Sequence, residues 1–143
     1  MPKKEHEIQI RVYAFDTDCA GAVFNANYFK WFYIGRHKFI ESCNAEVAPS
    51  GGLLIGPDKE PIAIVVGELK CRIYQPSRIN DVINLVTSIK QIDARTITFL
   101  HNLYNDNHVL LAQGETTYVA VGPNREKATS LSPSAMDFFE SLL

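Results

Sequence analysis

Hydrophobic and polar residues alternate with a period of two over residues 7–14, which predicts a half-buried strand near the start of the chain. The same period returns after residue 61 and persists through most of the remaining sequence. A polar Asn-Asp-Asn run at 105–107 separates the last two stretches and predicts a hairpin turn between them. The four later strands are predicted over residues 62–74, 81–92, 94–104 and 108–121.

Between the first strand and the later ones, the periodicity changes to helical spacing. Residues 26 to about 42 contain no proline, and a stretch of about 17 residues predicts a helix of roughly 25 Å. Asn25 or Asn27 is the predicted N-terminal cap. A glycine in mid-helix costs about 1 kcal/mol relative to alanine, so we expect close packing at Gly35. The apolar stripe consists of Tyr28, Trp31, Phe32, Gly35 and Phe39.

The order of these elements predicts an α+β layer structure. One strand and one long helix precede four strands that are expected to be antiparallel, giving a sheet of about five strands. Residues 47–61 are rich in Pro and Gly and are predicted to form a loop, and the last residues predict a short helix capped by Ser132 or Ser134. No repeat or linker divides residues 1–143, which are interpreted as one domain. The uncovered sheet edge favours an oligomer.

Composition and charge argue against several classes of protein. A formal net charge of −2 gives no electrostatic case for binding nucleic acid or an anionic membrane. The three cysteines lack a CxxC spacing and the four histidines are scattered singly, so no disulfide framework and no metal site are predicted. The charged first residues do not look like a signal peptide, and no apolar run reaches the roughly 20 residues that span a bilayer. A cytoplasmic location is therefore expected.

The stretch FDTDCAGAVFNANYFKWF, from Phe15 to Phe32, carries the candidate chemistry. Two carboxylates, Asp16 and Asp18, precede a small-residue turn and the aromatic helix. Aspartates often bond to the amides of such turns, and we expect that role for Asp16. A helix N-terminus also offers free N–H groups and partial positive charge, which can stabilise an oxyanion. Cys19 has no base near it in sequence and is predicted to be a small packing residue.

With the elements in this order, the stretch resembles the 4-hydroxybenzoyl-CoA thioesterase family of hotdog-fold proteins. The family pattern is similar to Asp-x-Asp-x-x-Gly-x-Val-aromatic-x-x-x-Tyr, and residues 71–89 resemble the family's central strand, turn and following strand. The resemblance implies the hotdog fold, in which an antiparallel sheet of about five strands wraps one long central helix. It also implies a homodimer or homotetramer with the pocket between subunits. The pattern is filled here by Asp16, Asp18, Gly21, Val23, Phe24 and Tyr28.

The resemblance further implies hydrolysis of an acyl-CoA thioester without any cofactor beyond the CoA of the substrate. Asp18 would either attack the carbonyl or deprotonate a water. The backbone N–H of Asn25, seven residues later, would polarise the carbonyl oxygen. Some relatives carry His at this position, so Asn25 leaves the acyl preference open. Arg95 would supply a cation for the CoA phosphates. The remaining expected substrate contacts are Val23, Phe24 and Tyr28.

Several alternatives remain open on the sequence alone. The acyl group could be carried by acyl-carrier protein, because phosphopantetheine is common to both carriers. A non-catalytic acyl-CoA-binding domain is a second alternative, which the presence of Asp18 disfavours. A hotdog dehydratase would need a His in the motif, and the motif has none. Glu68 is the second choice for the catalytic acid, although alternation along its strand favours an outward position.

Overall fold

The computed structural model describes residues 4–143, which contain two α-helices and eight strands. A single turn of 3-10 helix, Ala14–Asp16, follows the first strand. In chain order the elements are β1 (Glu5–Arg11), α1 (Asn27–Glu41), β2 (Ala45–Val47), β3 (Leu53–Ile55), β4 (Glu60–Ile62), β5 (Ile64–Ile73), β6 (Val82–Ile92), β7 (Thr96–Tyr104), β8 (Leu110–Ala120) and α2 (Pro133–Glu140).

The five longer strands form one antiparallel sheet in the order β1-β6-β7-β8-β5. In β7 and most of β8 every second residue is buried, because successive side chains point to opposite faces of the sheet and α1 covers one of them. This confirms the predicted α+β class and the five-stranded sheet. Each long strand begins and ends within three residues of its predicted bounds.

The prediction of a loop over residues 47–61 is wrong in part. β2, β3 and β4 pair antiparallel and form a separate three-stranded sheet. Leu53 and Ile55 of β3 are buried in the core, so apolar burial stabilises these short strands although Pro and Gly surround them. A strand of three residues spans too little sequence to show an alternating pattern.

α1 has 15 residues, slightly fewer than predicted, and contacts the sheet through β1, β5, β6 and β7. Its N-cap is Ala26, and no side chain caps the helix. The prediction of Asn25 or Asn27 as the cap is therefore wrong. The side-chain amide of Asn27 instead donates to Asp16 Oδ1 at 3.2 Å. The Asn27 side chain therefore binds the motif loop and does not cap the helix.

Two glycines allow α1 to approach the sheet closely. A Cβ atom on Gly35 would lie 2.8 Å from Leu85 Cδ2 on β6, which confirms the close packing expected there. Gly114 on β8 lies directly beneath the ring of Phe32, which would clash with any side chain at that position. Helix and sheet are thus fitted to each other at the middle of α1.

The core consists of two apolar clusters with a polar layer between them. The first half of α1 packs with β1, β6 and the motif, and its second half packs with the small sheet and α2. α2 begins after Ser132, whose hydroxyl accepts from the Ala135 N–H at 3.2 Å, so this predicted cap is confirmed. The polar layer, described below, consists of Arg36, Thr87, His101, Thr116 and Tyr118.

The two edges of the main sheet differ in character. β1 forms one edge, and its exposed positions are the polar residues Glu5, Glu7, Gln9 and Arg11. β5 forms the other edge, and seven consecutive positions from Val66 to Arg72 are exposed or only partly buried on both faces. An edge strand with exposed apolar side chains is an unprotected edge.

Candidate active site

The motif folds into a compact loop between β1 and α1. Thr17 and Val23 form an isolated antiparallel bridge, which closes the loop on itself. The loop is also attached to the segment between β5 and β6, because the Val23 N–H donates to the Ser77 carbonyl at 2.8 Å. Gly21 has a φ of +81° with no other heavy atom within 4 Å of a Cβ built there. Glycine is therefore required at this position by backbone conformation and not by space.

Asp16 is buried and holds the loop together, as expected from its sequence position. Its Oδ2 accepts from the Tyr13 N–H at 2.9 Å, and its Oδ1 accepts from the Asn27 side chain at 3.2 Å. Its own carbonyl accepts from the Phe24 N–H at 2.9 Å. One residue thus links the end of β1, the motif loop and the start of α1, which is a structural role.

Asp18, in contrast, is exposed, and only one of its two carboxylate oxygens accepts hydrogen bonds from the described residues. Its Oδ1 accepts from the backbone N–H groups of Ala20 at 2.8 Å and Ala22 at 3.3 Å. Within residues 4–143, Oδ2 accepts from no protein donor. The turn amides therefore fix the direction of the carboxylate while one of its oxygens faces solvent. A nucleophile or general base needs this combination of fixed orientation and accessible lone pair.

The first turn of α1 follows the loop directly. The N–H of Asn27 donates to the Phe24 carbonyl and that of Tyr28 to the Asn25 carbonyl. The N–H groups of Asn25 and Ala26 donate to no protein acceptor within the described chain. Unpaired amides at a helix start carry the positive end of the helix dipole, so a site for negative charge lies a few residues after Asp18.

The three expected substrate contacts have different environments. Phe24 is 58% exposed beside the helix start. Val23 and Tyr28 are buried in the core below the loop, so they support the loop and are not open to solvent. Burial raises the pKa of the Tyr28 phenol above its ordinary value, an effect that the neighbouring Ser77 partly offsets.

Arg95 and Glu68 do not meet Asp18 within one protomer. Arg95 lies in the turn between β6 and β7. The motif adjoins the opposite end of β6, where the Val12 N–H donates to the Asp81 carbonyl. A strand of this length separates its two ends by about 30 Å. Glu68 lies on the exposed β5 edge and forms an ion pair with Lys70 at 3.3 Å, which agrees with the outward position expected for it.

The sequence analysis missed the polar layer under the middle of α1. Arg36 is 3% exposed, and it donates to the Tyr118 hydroxyl at 3.0 Å and to Thr116 Oγ1 at 2.8 Å. Its guanidinium carbon lies 5.4 Å from the centroid of the Tyr33 ring and 5.3 Å from that of Tyr118. The sequence analysis left Arg36 out of the apolar stripe of the helix. The available signal was its spacing, four residues after Phe32, which puts it on the apolar stripe.

His101 continues this layer below Arg36. Its Nε2 lies 3.1 Å from Thr116 Oγ1 and its Nδ1 lies 3.4 Å from Thr87 Oγ1. Both ring nitrogens thus lie beside a threonine hydroxyl, a group that can donate or accept a hydrogen bond. Burial and the charge of Arg36 lower the pKa of His101 to about 3, so the ring is neutral at physiological pH.

Two further observations concern other kinds of site. Across residues 4–143, no three His, Cys, Asp or Glu side chains come together as metal ligands would. In the same part of the chain, neither helix is long and apolar enough to cross a membrane.

The chain is similar to known thioesterases. Residues 12–139 match the thioesterase-like superfamily. The acyl-CoA thioester hydrolase YbgC of Escherichia coli O6:H1 is 27% identical over 131 residues, which cover 92% of each chain. The chloroplastic acyl-acyl carrier protein thioesterase ATL2 of Arabidopsis thaliana is 28% identical over 138 residues, covering 94% of this chain and 68% of that protein.

A solved structure shows the same fold. Slr0204, a 1,4-dihydroxy-2-naphthoyl-CoA thioesterase from Synechocystis, superposes with a TM-score of 0.78 at 18% identity, over 96% of this chain and 97% of that one. The α+β sheet and helix are thus of the hotdog type. The chain belongs to the thioesterase-like superfamily, which confirms the resemblance seen in the motif. The prediction of a thioester hydrolase is confirmed with it.

Proposed function

We propose that this protein hydrolyses acyl-CoA thioesters and that Asp18 is the catalytic carboxylate. The observation that carries the proposal is the bonding of the Asp18 carboxylate: two turn amides donate to Oδ1, while Oδ2 faces solvent. The neighbouring aspartate, Asp16, is buried, and both of its carboxylate oxygens accept hydrogen bonds that hold the loop. Of the two carboxylates in the motif, only Asp18 is therefore free to react.

Two routes use this arrangement. In the first, Asp18 Oδ2 attacks the thioester carbon, the C–S bond breaks, and CoA leaves as a thiolate that takes a proton from solvent. Water then hydrolyses the resulting mixed anhydride and regenerates the carboxylate. In the second, Asp18 takes a proton from water as the water oxygen attacks the same carbon, and that proton passes to the departing sulfur. Both routes develop negative charge on the carbonyl oxygen.

The first turn of α1 is the proposed site of that charge. The N–H of Asn25 points to no protein acceptor in the described residues, and it carries the positive end of the helix dipole. Preorganised backbone donors of this kind typically contribute about 100-fold or more to acyl-transfer rates. An asparagine side chain at this position can add a hydrogen bond but cannot move a proton.

The carrier of the acyl group is proposed to be CoA, as the name of the Escherichia coli relative indicates for that protein. Acyl-carrier protein is the second candidate, which the name of the Arabidopsis relative favours. A binding domain without turnover remains the third, and an inactive protein in the assay below would favour it. A cytoplasmic location remains a prediction.

The remaining substrate contacts are assigned on exposure. Phe24 is proposed to contact the acyl group directly, because it is exposed beside the helix start. Val23 and Tyr28 are buried in the core, and they are proposed to support the surface that Phe24 belongs to. Arg95 lies too far from Asp18 within one protomer to serve the same site. If it binds the CoA phosphates, it does so across a subunit boundary.

We therefore also propose a homodimer, or a homotetramer built from such dimers. Its basis is the β5 edge, where Val66, Leu69 and Ile73 are exposed on a strand that pairs only with β8 in the described residues. Pairing of this edge with a second β5 would continue the sheet and cover these side chains.

The proposed activity is tested by measuring thiol release from benzoyl-CoA and from short and long aliphatic acyl-CoAs. The same acyl groups on acyl-carrier protein are assayed in parallel. Turnover of at least one acyl-CoA supports the proposal and begins to define the acyl group. Turnover of the acyl-carrier-protein substrates alone would transfer the proposal to that carrier. Binding of acyl-CoA without any release of thiol would contradict hydrolysis.

A further inference from the structure

The side chain of Asn27 connects the first turn of α1 to the motif loop. Its Nδ2 lies 3.2 Å from Asp16 Oδ1. An ionised carboxylate only accepts hydrogen bonds, so the part of the Asn27 amide that faces Asp16 is the NH2 group and not the oxygen. The chemistry of Asp16 therefore fixes the orientation of the Asn27 amide as well as its position.

This hydrogen bond joins the two halves of the proposed active site. Asp16 stands two residues before Asp18, the carboxylate proposed to react. Asn27 stands two residues after Asn25, whose N–H is proposed to bind the carbonyl oxygen. The two bonded residues are 11 positions apart in sequence, so their bond closes the motif loop at its base and relates the position of one reacting group to that of the other.

The first turn of α1 has few other contacts that fix its position. The N-cap, Ala26, has no side-chain cap bond. The Tyr28 N–H donates to the Asn25 carbonyl at 3.4 Å, which is long for a hydrogen bond of this kind. Among the described residues, no second side chain of this turn bonds to the motif loop. The Asn27 amide is therefore the side-chain contact that sets where α1 begins relative to Asp18.

The motif loop itself keeps other bonds when the Asn27 amide is removed. Asp16 Oδ2 accepts from the Tyr13 N–H at 2.9 Å. The Asp16 carbonyl accepts from the Phe24 N–H, also at 2.9 Å. Loss of the Asn27 amide should therefore leave the loop folded and release only the start of the helix.

We propose that Asn27 is a positioning residue for thioester hydrolysis. Through Asp16, its amide holds the first turn of α1 where one thioester group meets both the Asp18 carboxylate and the Asn25 N–H. The inference rests on the proposed function and adds to it a residue that touches neither the substrate nor the reacting atoms. Placement of this kind matters for the rate, because a misplacement of about 1 Å can cost roughly 100-fold.

A purely structural role for Asn27 predicts a different result. Removing a hydrogen bond that only stabilises the fold lowers the free energy of unfolding, while the folded molecules keep the wild-type kcat. Removing a positioning bond lowers the kcat of the folded protein and changes KM less, because the ground-state contacts of the substrate remain. Urea unfolding and steady-state kinetics, measured on the same variants, separate the two roles.

The test uses the acyl-CoA that the wild type hydrolyses fastest. Asn27→Leu keeps the size of the side chain and removes the donor. Asn27→Asp places a second carboxylate against Asp16. At a temperature where the protein is fully folded, each variant is expected to lower kcat about tenfold or more, with KM within about threefold of the wild type.

The double variant that combines Asp16→Asn with Asn27→Asp exchanges the two groups. The amide at position 16 then donates to the carboxylate at position 27, while its oxygen still accepts from the Tyr13 N–H. Because the bond is restored in the opposite direction, kcat is expected to return to within about threefold of the wild type. Asn44→Asp makes the same exchange at an exposed residue beyond the other end of α1, and it should keep the wild-type kcat.

Each result decides the inference. A wild-type kcat in both single variants would overturn it while leaving the proposed function intact. A loss in Asn27→Asp that the double variant does not recover would also overturn it, since the bond would then not be the cause. Loss of the fold in both single variants would make the bond a requirement of folding and would exclude a positioning role. If the wild type hydrolyses no thioester, the proposed function fails and the inference falls with it.

Discussion

A Cβ atom on Gly35 would lie 2.5 Å from Thr87 Oγ1, so helix α1 and strand β6 meet at van der Waals distance only because residue 35 has no side chain. Gly35→Ala gains helix propensity of about 1 kcal/mol but overpacks this contact, which typically costs 1–3 kcal/mol. We expect a net loss of up to about 2 kcal/mol in the free energy of unfolding, measured with urea. Lys38→Ala, on the exposed face of the same helix, is the control. An increased stability of Gly35→Ala would contradict the packing described.

Gly21 tests the conformation of the motif loop. Its φ of +81° is unfavourable for residues with a Cβ, and no neighbour obstructs one. Gly21→Ala is expected to lose about 1–2 kcal/mol of stability and to lower thioesterase activity, because the turn orients Asp18. Gly21→Asn is the matched variant, since asparagine tolerates this region better, and it should retain more of both. Equal stability and activity of Gly21→Ala and the wild type would contradict this account.

His101 predicts a dependence of stability on pH. Its pKa falls from 6.5 in the unfolded chain to about 3 in the fold. Above pH 6.5 both states are neutral and the residue has no effect. As the pH falls below 6.5 the unfolded chain binds a proton that the folded one does not, so stability declines by up to about 1.4 kcal/mol per pH unit until pH 3.

The decline is measured by urea unfolding between pH 7.5 and pH 5, above the range where most carboxylates titrate. His101→Gln lacks the titrating group, and the wild type should lose about 2 kcal/mol more than this variant over the interval. His108→Gln, at an exposed histidine, should behave like the wild type. Parallel curves for the wild type and His101→Gln would refute the buried neutral state of His101.

The β5 edge predicts the effect of a charge on assembly. Val66→Lys places an ammonium among the apolar side chains of this edge, and charged residues disfavour edge pairing. We expect the variant to be monomeric by light scattering at concentrations where the wild type is a dimer or larger. Gln9→Lys introduces the same charge on the opposite edge, β1, and should leave the assembly intact. Dissociation by Gln9→Lys alone, or a monomeric wild type, would contradict the proposed interface.

Much of the fold is predictable because the long strands and α1 are long enough to show their periods. Residues 81–92 and Val82–Ile92, predicted and observed, differ by a single residue. The strands β2, β3 and β4 have three residues each, and no period is visible over such a length. Asn27 was a reasonable cap from sequence, but its amide bonds to Asp16, a contact that only the folded loop creates.

The site is predictable where its parts are neighbours in sequence. Asp16, Asp18 and Gly21 lie within six residues, so their place in one turn follows from the sequence, while the catalytic role of Asp18 stays a prediction. Arg36 was missed because its acceptors, Thr116 and Tyr118, are about 80 residues away in sequence and carry no charge. The position of Arg95 depends on which end of β6 the motif adjoins, and only the strand pairing settles this.

The central claim, that Asp18 is the catalytic carboxylate, is tested most directly by thiol release from a hydrolysed acyl-CoA with wild type and Asp18→Asn. Asparagine keeps an oxygen to accept from Ala20 and Ala22, so the loop should remain folded while the nucleophile or base is lost. A fall in kcat of about 100-fold or more is expected, with unchanged thermal stability, and Glu68→Gln should retain activity. Undiminished hydrolysis by Asp18→Asn, together with a large loss in Glu68→Gln, would contradict the account and move the chemistry to β5.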